Sequence, residues 1–353
     1  MGAYRIDSNH SEKQKLRITQ IRSIYHNMKI YRNLDEFEPL DFAIVTIGTF
    51  DGVHVGHQKI LNKITELAKH NTGETVLLTF YPHPRLIINP DDDSLRLIND
   101  IEEKVEQLAL AGIDHLIITP FTRDFSNQTP EEYISNVLVN KIGCKKIVIG
   151  YDHHFGKDRK GTIKKLIHYA SIFDYTVEEI PEQDIEDVAV SSTRIRESLI
   201  KGDIDTANKY LGYPFELTGT VIRGDQIGRE IGFPTANLHI HESHKLIPAY
   251  GIYAVEVEVY PRAADIGTGE YYQPEPERIA KGMCYIGTRP TVDGMNRKIE
   301  VNLLDFNDDL YSKSLRVKFL SFIRHDQWFE SLDLMKDQIK KDEDAIRNYF
   351  QQV

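Results

Sequence analysis

Residues 43–70 read AIVTIGTFDGVHVGHQKILNKITELAKH and decide the fold of the first half of the chain. The run at 43–47 is apolar and β-branched, as expected for a strand buried on both faces of a parallel sheet. After the glycines, apolar residues recur on one helical face, namely Ile60, Leu61, Ile64, Leu67 and Ala68. The stretch therefore predicts a strand and a helix joined by the loop GTFDGVHVGH at 48–57.

His54 and His57 lie at the predicted start of that helix. Free backbone N–H groups and the positive end of the helix dipole attract phosphate there, and Gly56 lets the backbone approach a ligand. Two imidazoles three residues apart can face the same way and stabilise charge on a transferring phosphate. A solvated glycine-rich loop is the alternative, but Phe50, Asp51 and the strand–loop–helix context favour nucleotide chemistry.

Strand and helix patterns alternate from about residue 42 to residue 200. The candidate strands are 43–47, 75–80, 115–119, 146–150 and 175–180. The candidate helices are 58–70, 100–111, 130–140, 162–172 and 193–201. This alternation predicts an α/β doubly wound parallel sheet with right-handed crossovers. Ligands of such sheets bind beyond the carboxyl ends of the strands, where the loops after 43–47, 75–80 and 146–150 are expected to converge.

The pattern changes near 202–214, after which period-two runs separated by glycine and proline predict a small antiparallel β-barrel. The candidate barrel strands are 216–222, 251–259, 281–286, 298–306 and 315–324. A closing helix follows them, and 261–279 is expected to be a long exposed excursion. We therefore expect an extension without fixed structure at 1–27, a first domain at 28–203 and a second domain at 214–353.

The net charge, the cysteine count and the distribution of apolar residues exclude several classes of protein. A net charge of −11 argues against a general nucleic-acid or anionic-membrane surface. Cys144 and Cys284 are the only cysteines, which excludes a disulfide scaffold and fits a reducing, cytoplasmic location. No apolar run reaches membrane-spanning length.

The second domain contains a glycine-rich stretch, GTVIRGDQIGREIGFPTAN at 219–237, whose backbone can wrap a polyphosphate. It is not a Walker A loop, because no Gly-Lys-Ser/Thr follows. Thr235 and Asn237 offer a hydroxyl and an amide oxygen, hard donors suited to Mg²⁺ with phosphate. An ordinary glycine-rich hairpin is the alternative.

Glu300 lies in a run patterned for a barrel strand, and it shares a face with Asn302. If both side chains point outward, they belong to a solvated strand face. If they point into a ligand pocket, Glu300 is a candidate general base for a hydroxyl nucleophile. The sequence leaves both orientations open.

Taken together, these motifs resemble those of the bacterial bifunctional riboflavin kinase/FAD synthetase family over residues 28–350. GTFDGVHVGH, LLTFYPHP (77–84), GYDHHFGKDRKG (150–161) and SSTRIRESL (191–199) resemble the adenylyltransferase motifs. GREIGFPTANL (228–238), PAYGIYAV (248–255), IEVNLLDF (299–306) and FIRHDQWFESLDLMKDQI (322–339) resemble the flavokinase motifs. The resemblance implies that the barrel phosphorylates riboflavin with ATP to give FMN. The first domain would then transfer AMP from ATP to FMN, giving FAD and pyrophosphate.

The resemblance also implies residue roles. Glu300 would activate the riboflavin 5′-hydroxyl, and His54 and His57 would stabilise the α-phosphate in AMP transfer. ATP would be bound by Gly48, Phe50, Asp51, Gly56, Ser191, Ser192, Arg194, Gly228, Gly232, Thr235 and Asn237. Thr235 and Asn237 would also hold Mg²⁺, and Asp152 and Arg324 would contact the flavin substrate. The hydroxyls of Ser191 and Ser192 are expected both to cap the next helix and to bind phosphate. The expected partners are riboflavin, FMN, FAD and ATP or ADP, without nucleic acid or membrane.

One segment departs from the family pattern. The family usually has Asp-Phe-Arg-Phe-Gly where this chain has Asp152-His153-His154-Phe155-Gly156. A neutral imidazole replaces an arginine only in part near neutral pH, so we expect the adenylyl step to be affected in rate. A structural metal site at His153 and His154 is an alternative. The competing functions are a cytidylyl- or adenylyltransferase for another phosphate substrate, and a flavin-binding protein without turnover.

Overall fold

The computed structural model describes residues 28–151, 153–181, 190–224, 227–262, 275–291 and 294–352. The expected extension at 1–27, Asp152 and most of the expected excursion at 261–279 lie outside the described residues. Backbone contacts divide the chain into two compact units, one formed by 1–95 and 100–190 and the other by 96–99 and 191–353. No helix in the described ranges combines the length and the apolar character needed to cross a membrane.

The first unit is built on a six-stranded parallel sheet with the strand order β1-β4-β3-β2-β5-β6. Its strands are β1 (Lys29–Tyr31), β2 (Ala43–Ile47), β3 (Glu74–Phe80), β4 (His115–Thr119), β5 (Cys144–Gly150) and β6 (Thr176–Ile180). Its helices are α1 (Val55–Asn71), α2 (Pro84–Ile88), α3 (Ile101–Leu110), α4 (Arg123–Ser126), α5 (Pro130–Glu132), a π-helix (Tyr133–Ile142) and α6 (Ile163–Phe173). Short 3-10 turns lie at Leu34–Glu36 and Lys157–Arg159.

The predicted doubly wound sheet is confirmed. Every residue of β2 is buried, as its continuous apolar run requires, because β3 and β5 flank it and helices cover the sheet. The loops after β3, β2 and β5 leave the same edge of three neighbouring strands, so GTFDGVHVGH follows the central one. The short edge strand β1 was not predicted, since three residues carry too little periodicity to detect.

The second unit contains a closed antiparallel barrel with the strand order β10-β11-β8-β7-β12-β9. Its strands are β7 (Glu216–Ile222), β8 (Ala236–His239), β9 (Gly251–Arg262), β10 (Arg278–Thr291), β11 (Gly294–Leu303) and β12 (Lys313–His325). Its helices are α7 (Ser192–Lys201), α8 (Ile204–Leu211), α9 (Ile227–Glu230) and α10 (Leu332–Gln352). The predicted barrel and its C-terminal helix are confirmed, and β8 is the strand that the sequence reading assigned only to a ligand-binding loop.

Helices α7 and α8 pack with the barrel. The Asn208 amide donates to the Phe319 carbonyl oxygen at 2.8 Å, and the Ala249 N–H donates to the Leu199 carbonyl oxygen at 3.0 Å. The packing division therefore falls before Ser191, earlier than the predicted boundary at 203–214. The predicted domain bounds of 28–203 and 214–353, taken as independently folding units, stay a prediction.

Two left-handed glycines in the first unit allow a matched test of packing. Gly143 ends the π-helix at φ 76°, and a Cβ there would lie 2.1 Å from the Leu40 carbonyl oxygen. Gly112 has nearly the same φ, 77°, but nothing lies within 4 Å of its Cβ position. Gly112→Ala is expected to cost about 1–2 kcal/mol from backbone strain alone. Gly143→Ala is expected to cost roughly 2 kcal/mol more, because the backbone of the 40–43 segment must move.

Urea unfolding followed by circular dichroism measures this difference. Equal midpoints for Gly112→Ala and Gly143→Ala would show that the close approach of Leu40 is not a packing constraint.

Candidate active sites

The loop after β2 is buried and has an unusual backbone. Phe50 and Val53 adopt φ values of 46° and 34°, and Gly52 adopts 89°. A left-handed conformation at a non-glycine residue costs about 1–3 kcal/mol, and such strain persists where the surrounding packing imposes it. The side chains of Phe50, Asp51 and Val53 are at most 3 % exposed, so burial holds the loop in place. At Gly48, a Cβ would lie 3.1 Å from the Phe50 ring, so glycine leaves room for that ring.

His54 and His57 are brought together at the start of α1. His54 is the N-cap, and its Nδ1 accepts a hydrogen bond from the His57 backbone N–H at 3.3 Å. Their rings stack with centroids 3.7 Å apart and an interplanar angle of 16°. Since Nδ1 of His54 is an acceptor, the neutral His54 ring carries its proton on Nε2, which is then a hydrogen-bond donor. The predicted juxtaposition of the two histidines at a helix N-terminus is therefore present, and buried Gly56 lies between them in the chain.

His57 is held in an apolar setting. The Phe50 ring lies 4.9 Å from its ring, and its Nδ1 is buried with no hydrogen-bond partner among the described residues. Burial, followed by electrostatic interaction with His54 and Lys104, holds the pKa of His57 well below 6.5. His57 is therefore neutral at pH 7, and its neutral imidazole offers a hydrogen-bond donor but no charge.

Lys104 is a residue that the sequence reading missed. It lies in α3, is only 6 % exposed, and lowers the pKa of His57 through its charge. The signal was present in the sequence: Lys104 is one helical turn before Leu108, which is fully buried, so a lysine occupies the apolar face of the helix.

The segment at the start of α7 caps its helix. Ser191 is the N-cap, and its hydroxyl accepts a hydrogen bond from the Arg194 N–H at 3.3 Å. Ser191 and Arg194 are exposed, whereas Ser192 is half-buried. By packing they belong to the second unit, whereas His54 belongs to the first. The expected capping is present, and phosphate binding by Ser191, Ser192 and Arg194 stays a prediction.

The segment that departs from the family pattern has a local structural role. The exposed His154 places its Nδ1 3.2 Å from the Arg159 carbonyl oxygen, and His153 stacks on Phe155 with ring centroids 5.9 Å apart. In the described ranges, no group of three or more histidine, cysteine or acidic side chains is arranged to hold a metal. Asp152 lies outside the described residues, so its role is not tested.

In the barrel, Thr235, Asn237 and Glu300 meet where β8 pairs with β11. Asn237 and Glu300 are directly opposite in the register, and the Thr235 hydroxyl donates to Glu300 Oε2 at 3.2 Å. The Lys298 ammonium forms an ion pair with Glu300 Oε1. The Glu300 side chain is 18 % exposed, so this polar cluster is sheltered but open to solvent on one side.

The orientation of Glu300 is now defined. Ile299, Val301 and Leu303 are buried and alternate with Glu300 and Asn302 along β11. On the face of Glu300 and Asn302, Met283 is opposite Asn302 in the register and packs in a cluster with Ile346 of α10, against which Tyr285, the partner of Glu300, also packs. Glu300 therefore lies on the outer face of the barrel, and there Thr235 and Lys298 hold it in a polar cluster. Of the two orientations that the sequence left open, the structure has the outward one. The Glu300 carboxylate is nevertheless engaged by Thr235 and Lys298 and is not simply solvated.

Glycines shape the loop next to this cluster. A Cβ at Gly224 would lie 2.2 Å from the Asn237 amide nitrogen, and a Cβ at Gly228 would lie 2.3 Å from the Phe233 carbonyl oxygen. The Phe233 N–H donates back to the Gly228 carbonyl at 2.7 Å, and Gly232 has a φ of 90°. These glycines make a tight turn that places Thr235 and Asn237. Whether Gly228 and Gly232 also contact ATP stays a prediction.

Arg324 is held by the C-terminal helix. Its guanidinium donates to both carboxylate oxygens of Asp342, at 2.8 and 2.7 Å, and Asp342 is 2 % exposed. Beside it, the Tyr285 hydroxyl donates to Asp326 at 3.2 Å. Burial, followed by the charge of Asp326, raises the pKa of Tyr285. The main interaction of Arg324 is thus a bidentate ion pair to α10, and contact with the flavin stays a prediction.

Comparison with known proteins identifies both halves of the chain. The FAD synthetase family model matches residues 38–194, and the riboflavin kinase family model matches residues 211–350. The bifunctional riboflavin kinase/FMN adenylyltransferase of Escherichia coli K12 is 34 % identical over 325 residues, covering 92 % of this chain and 98 % of the relative. The protein of the same name from Listeria monocytogenes is 33 % identical over 318 residues, covering 90 % of this chain and 95 % of the relative.

A solved structure from Streptococcus pneumoniae, described as a macrolide-efflux protein, matches with a TM-score of 0.79 and 31 % identity. The match covers 91 % of this chain and 99 % of that structure, so the fold extends over both halves. The efflux description applies to that protein.

A nucleotidyltransferase-type sheet followed by a flavokinase barrel defines an ATP-using enzyme of flavin nucleotide synthesis. The chain belongs to the family of bifunctional riboflavin kinase/FMN adenylyltransferases. The predicted resemblance and the predicted pair of activities are confirmed.

The low pKa of His57 predicts a pH dependence of stability. Below pH 6.5 the unfolded imidazole takes up a proton that the native His57 does not, so acidification favours unfolding. Stability from this group is full above pH 6.5 and is lost as the pH falls towards the lower native pKa. The slope is at most about 1.4 kcal/mol per pH unit.

Urea unfolding from pH 5 to 7.5 tests this effect by comparing wild type with His57→Asn. The variant should lose less stability on acidification, whereas His70→Asn, at the exposed end of the same helix, should follow wild type. Parallel curves for wild type and His57→Asn would show that His57 is not the titrating group.

Proposed function

We propose that the two activities use two separate sets of residues, with Thr235, Asn237 and Glu300 serving the kinase and His54 and His57 serving AMP transfer. The observation that carries the kinase assignment is the 3.2 Å hydrogen bond from Thr235 to Glu300 directly opposite Asn237. Asn237 and Glu300 come from two neighbouring strands of the barrel and Thr235 directly precedes one of them, which suits a site that must hold reactants in line.

In the kinase step, Glu300 would accept the proton of the riboflavin 5′-hydroxyl. The hydroxyl oxygen then bonds to the γ-phosphorus of ATP, the bond from that phosphorus to the β–γ bridging oxygen breaks, and ADP leaves. Lys298 and Thr235 each engage one oxygen of the Glu300 carboxylate, so both fix its orientation before the substrate arrives. A positioned carboxylate of this kind contributes roughly 10²–10⁴-fold to a proton transfer.

A magnesium ion fits this donor set. The Thr235 hydroxyl and the Asn237 amide would hold the ion with neutral hard oxygens beside a carboxylate, the ligand type that Mg²⁺ prefers together with substrate phosphates. The crowding of the Asn237 amide against Gly224 restricts how that amide can turn. When bound, Mg²⁺ would neutralise charge on the ATP phosphates.

In the adenylyl step, an oxygen of the FMN phosphate would attack the α-phosphorus of ATP. The bond from the α-phosphorus to the α–β bridging oxygen breaks, which gives FAD and pyrophosphate. The Nε2–H of His54 and an N–H of neutral His57 are the proposed donors to the oxygens that gain charge. The stacked rings at the N-terminus of α1 support this proposal, because the helix dipole adds to the same attraction.

Both thiols support a reducing compartment, for which we propose the cytoplasm. Cys144 and Cys284 are free and buried, and burial raises the pKa of the Cys144 thiol to about 12. The proposed partners are the flavins and adenine nucleotides of the two reactions.

Reciprocal variants test the two-site assignment. Glu300→Gln is expected to lower riboflavin phosphorylation by about 10²–10⁴-fold and to leave adenylylation of supplied FMN unchanged, because only a proton acceptor is lost. His57→Asn is expected to lower FAD formation by about 10²–10³-fold and to spare FMN formation. Both are measured by chromatography of flavins with ATP and Mg²⁺.

Matched control variants make the same chemical changes at positions outside both proposed sites. Glu256→Gln changes a carboxylate of β9 that is 40 % exposed, and His70→Asn changes an exposed histidine of α1. Both controls should retain both activities. Loss of both reactions in either Glu300→Gln or His57→Asn, with native circular dichroism, would contradict separate sites.

A further inference from the structure

Lys104 occupies a position that ordinarily excludes charge. It is the fourth residue of α3, its backbone N–H donates to the Asp100 carbonyl at 3.1 Å, and its side chain is 94 % buried on the face that also buries Leu108. Asp100 caps the helix through a reciprocal capping box with Glu103, so the backbone at Lys104 is fixed. Burial of an ammonium is unfavourable unless an opposite charge compensates it.

The compensation available from the protein is incomplete. Lys104 interacts electrostatically with Asp51 and Asp100, yet its ammonium makes no hydrogen bond or ion pair with any part of the chain that the structure describes. Asp51 belongs to the strained loop after β2, and His57, which Lys104 also influences, begins α1. Lys104 therefore interacts electrostatically with the loop and the histidine proposed for AMP transfer.

A second unsatisfied group lies in the same place. Nδ1 of His57 is buried and has no partner among the described residues. Lys104 is only 6 % exposed and the His57 ring nitrogen is buried without a hydrogen bond among the described residues. Next to a helix N-terminus, these two groups form a setting that an anionic ligand completes. The anionic groups in this reaction are the phosphates of ATP, pyrophosphate and FMN.

We propose that Lys104 is a further phosphate-binding residue of the adenylyl-transfer site, with its ammonium donating to phosphate oxygens of the reacting nucleotides. This inference rests on the proposed role of His54 and His57. Lysine suits the task because it brings a compact charge with three donors to a dry position. A lysine that only balances Asp51 would leave KM unchanged when it is replaced in an Asp51→Asn background, whereas a phosphate contact would still be lost there, and this difference decides the test.

The experiment uses the full chain and the variants Lys104→Met, Lys104→Arg and Lys69→Met, with Lys104→Met made also in the Asp51→Asn background. Lys69 is an exposed lysine in the last turn of α1 and serves as the matched control. Forward AMP transfer gives KM for ATP and for FMN, and the reverse reaction of FAD with pyrophosphate gives KM for pyrophosphate. Riboflavin phosphorylation by the same sample and circular dichroism report folding.

Lys104→Met is expected to raise KM at least about tenfold, the size of one charge-assisted hydrogen bond. A rise for ATP and pyrophosphate places the contact on the β- and γ-phosphates, and a rise for FMN alone places it on the flavin phosphate. Lys104→Arg should recover most of the affinity, and Lys69→Met should match wild type.

KM values within twofold of wild type for all three substrates in Lys104→Met would overturn the inference, whatever happens to kcat. If Lys104→Met does not fold, Lys104→Gln takes its place in the same comparison: the structural alternative predicts unchanged KM in the Asp51→Asn background, whereas loss of a charged phosphate contact predicts a rise. Failure of the proposed role of His54 and His57 in AMP transfer would be seen separately, because His57→Asn would then form FAD at the wild-type rate.

Discussion

The hydrogen bond from the His57 backbone N–H to Nδ1 of His54 is the interaction on which the first site depends. It satisfies one of the free N–H groups of α1, stacks the two imidazoles and sets the tautomer of His54. The strained backbone at Phe50 and Val53 brings the chain from β2 into that cap. The ring nitrogens of His54 and His57 are thus positioned by backbone elements, namely a buried central strand, a packed loop and the start of a helix. No long flexible side chain is needed.

The barrel reaches a comparable result by strand pairing. Asn237 and Glu300 face each other because β8 pairs with β11, and Thr235 precedes β8 after a turn that only glycine permits at Gly228. Lys298, two residues before Glu300, shares its face of β11 and completes the cluster. Backbone hydrogen bonds of the barrel therefore set the distances between the side chains of the proposed kinase site. Arg324 shows the other use of charge in this unit, because its pair with buried Asp342 attaches α10 to β12.

Most elements were predictable because their periodicity is local. The run at 43–47 became β2 with the same bounds, and 216–222 became β7. The strands β1 and β8 were not predicted, because runs of three and four residues are too short to show a clear periodicity. Lys104 was not predicted as a site residue for a different reason. Its spacing from Leu108 puts it on the apolar face of α3, but a charged residue in a helical pattern is ordinarily assigned to the solvent face, so its burial was recognised only from the packing.

By itself, the sequence determined the two architectures, their order, the histidine pair and the family, because these follow from periodicity and from motifs of adjacent residues. The tertiary structure decided which face Glu300 occupies, that Arg324 is engaged by Asp342, and that His57 is neutral with Lys104 nearby. Each of these depends on groups distant in the chain, and pairing register, burial and charge–charge contact exist only after the strands and helices have packed.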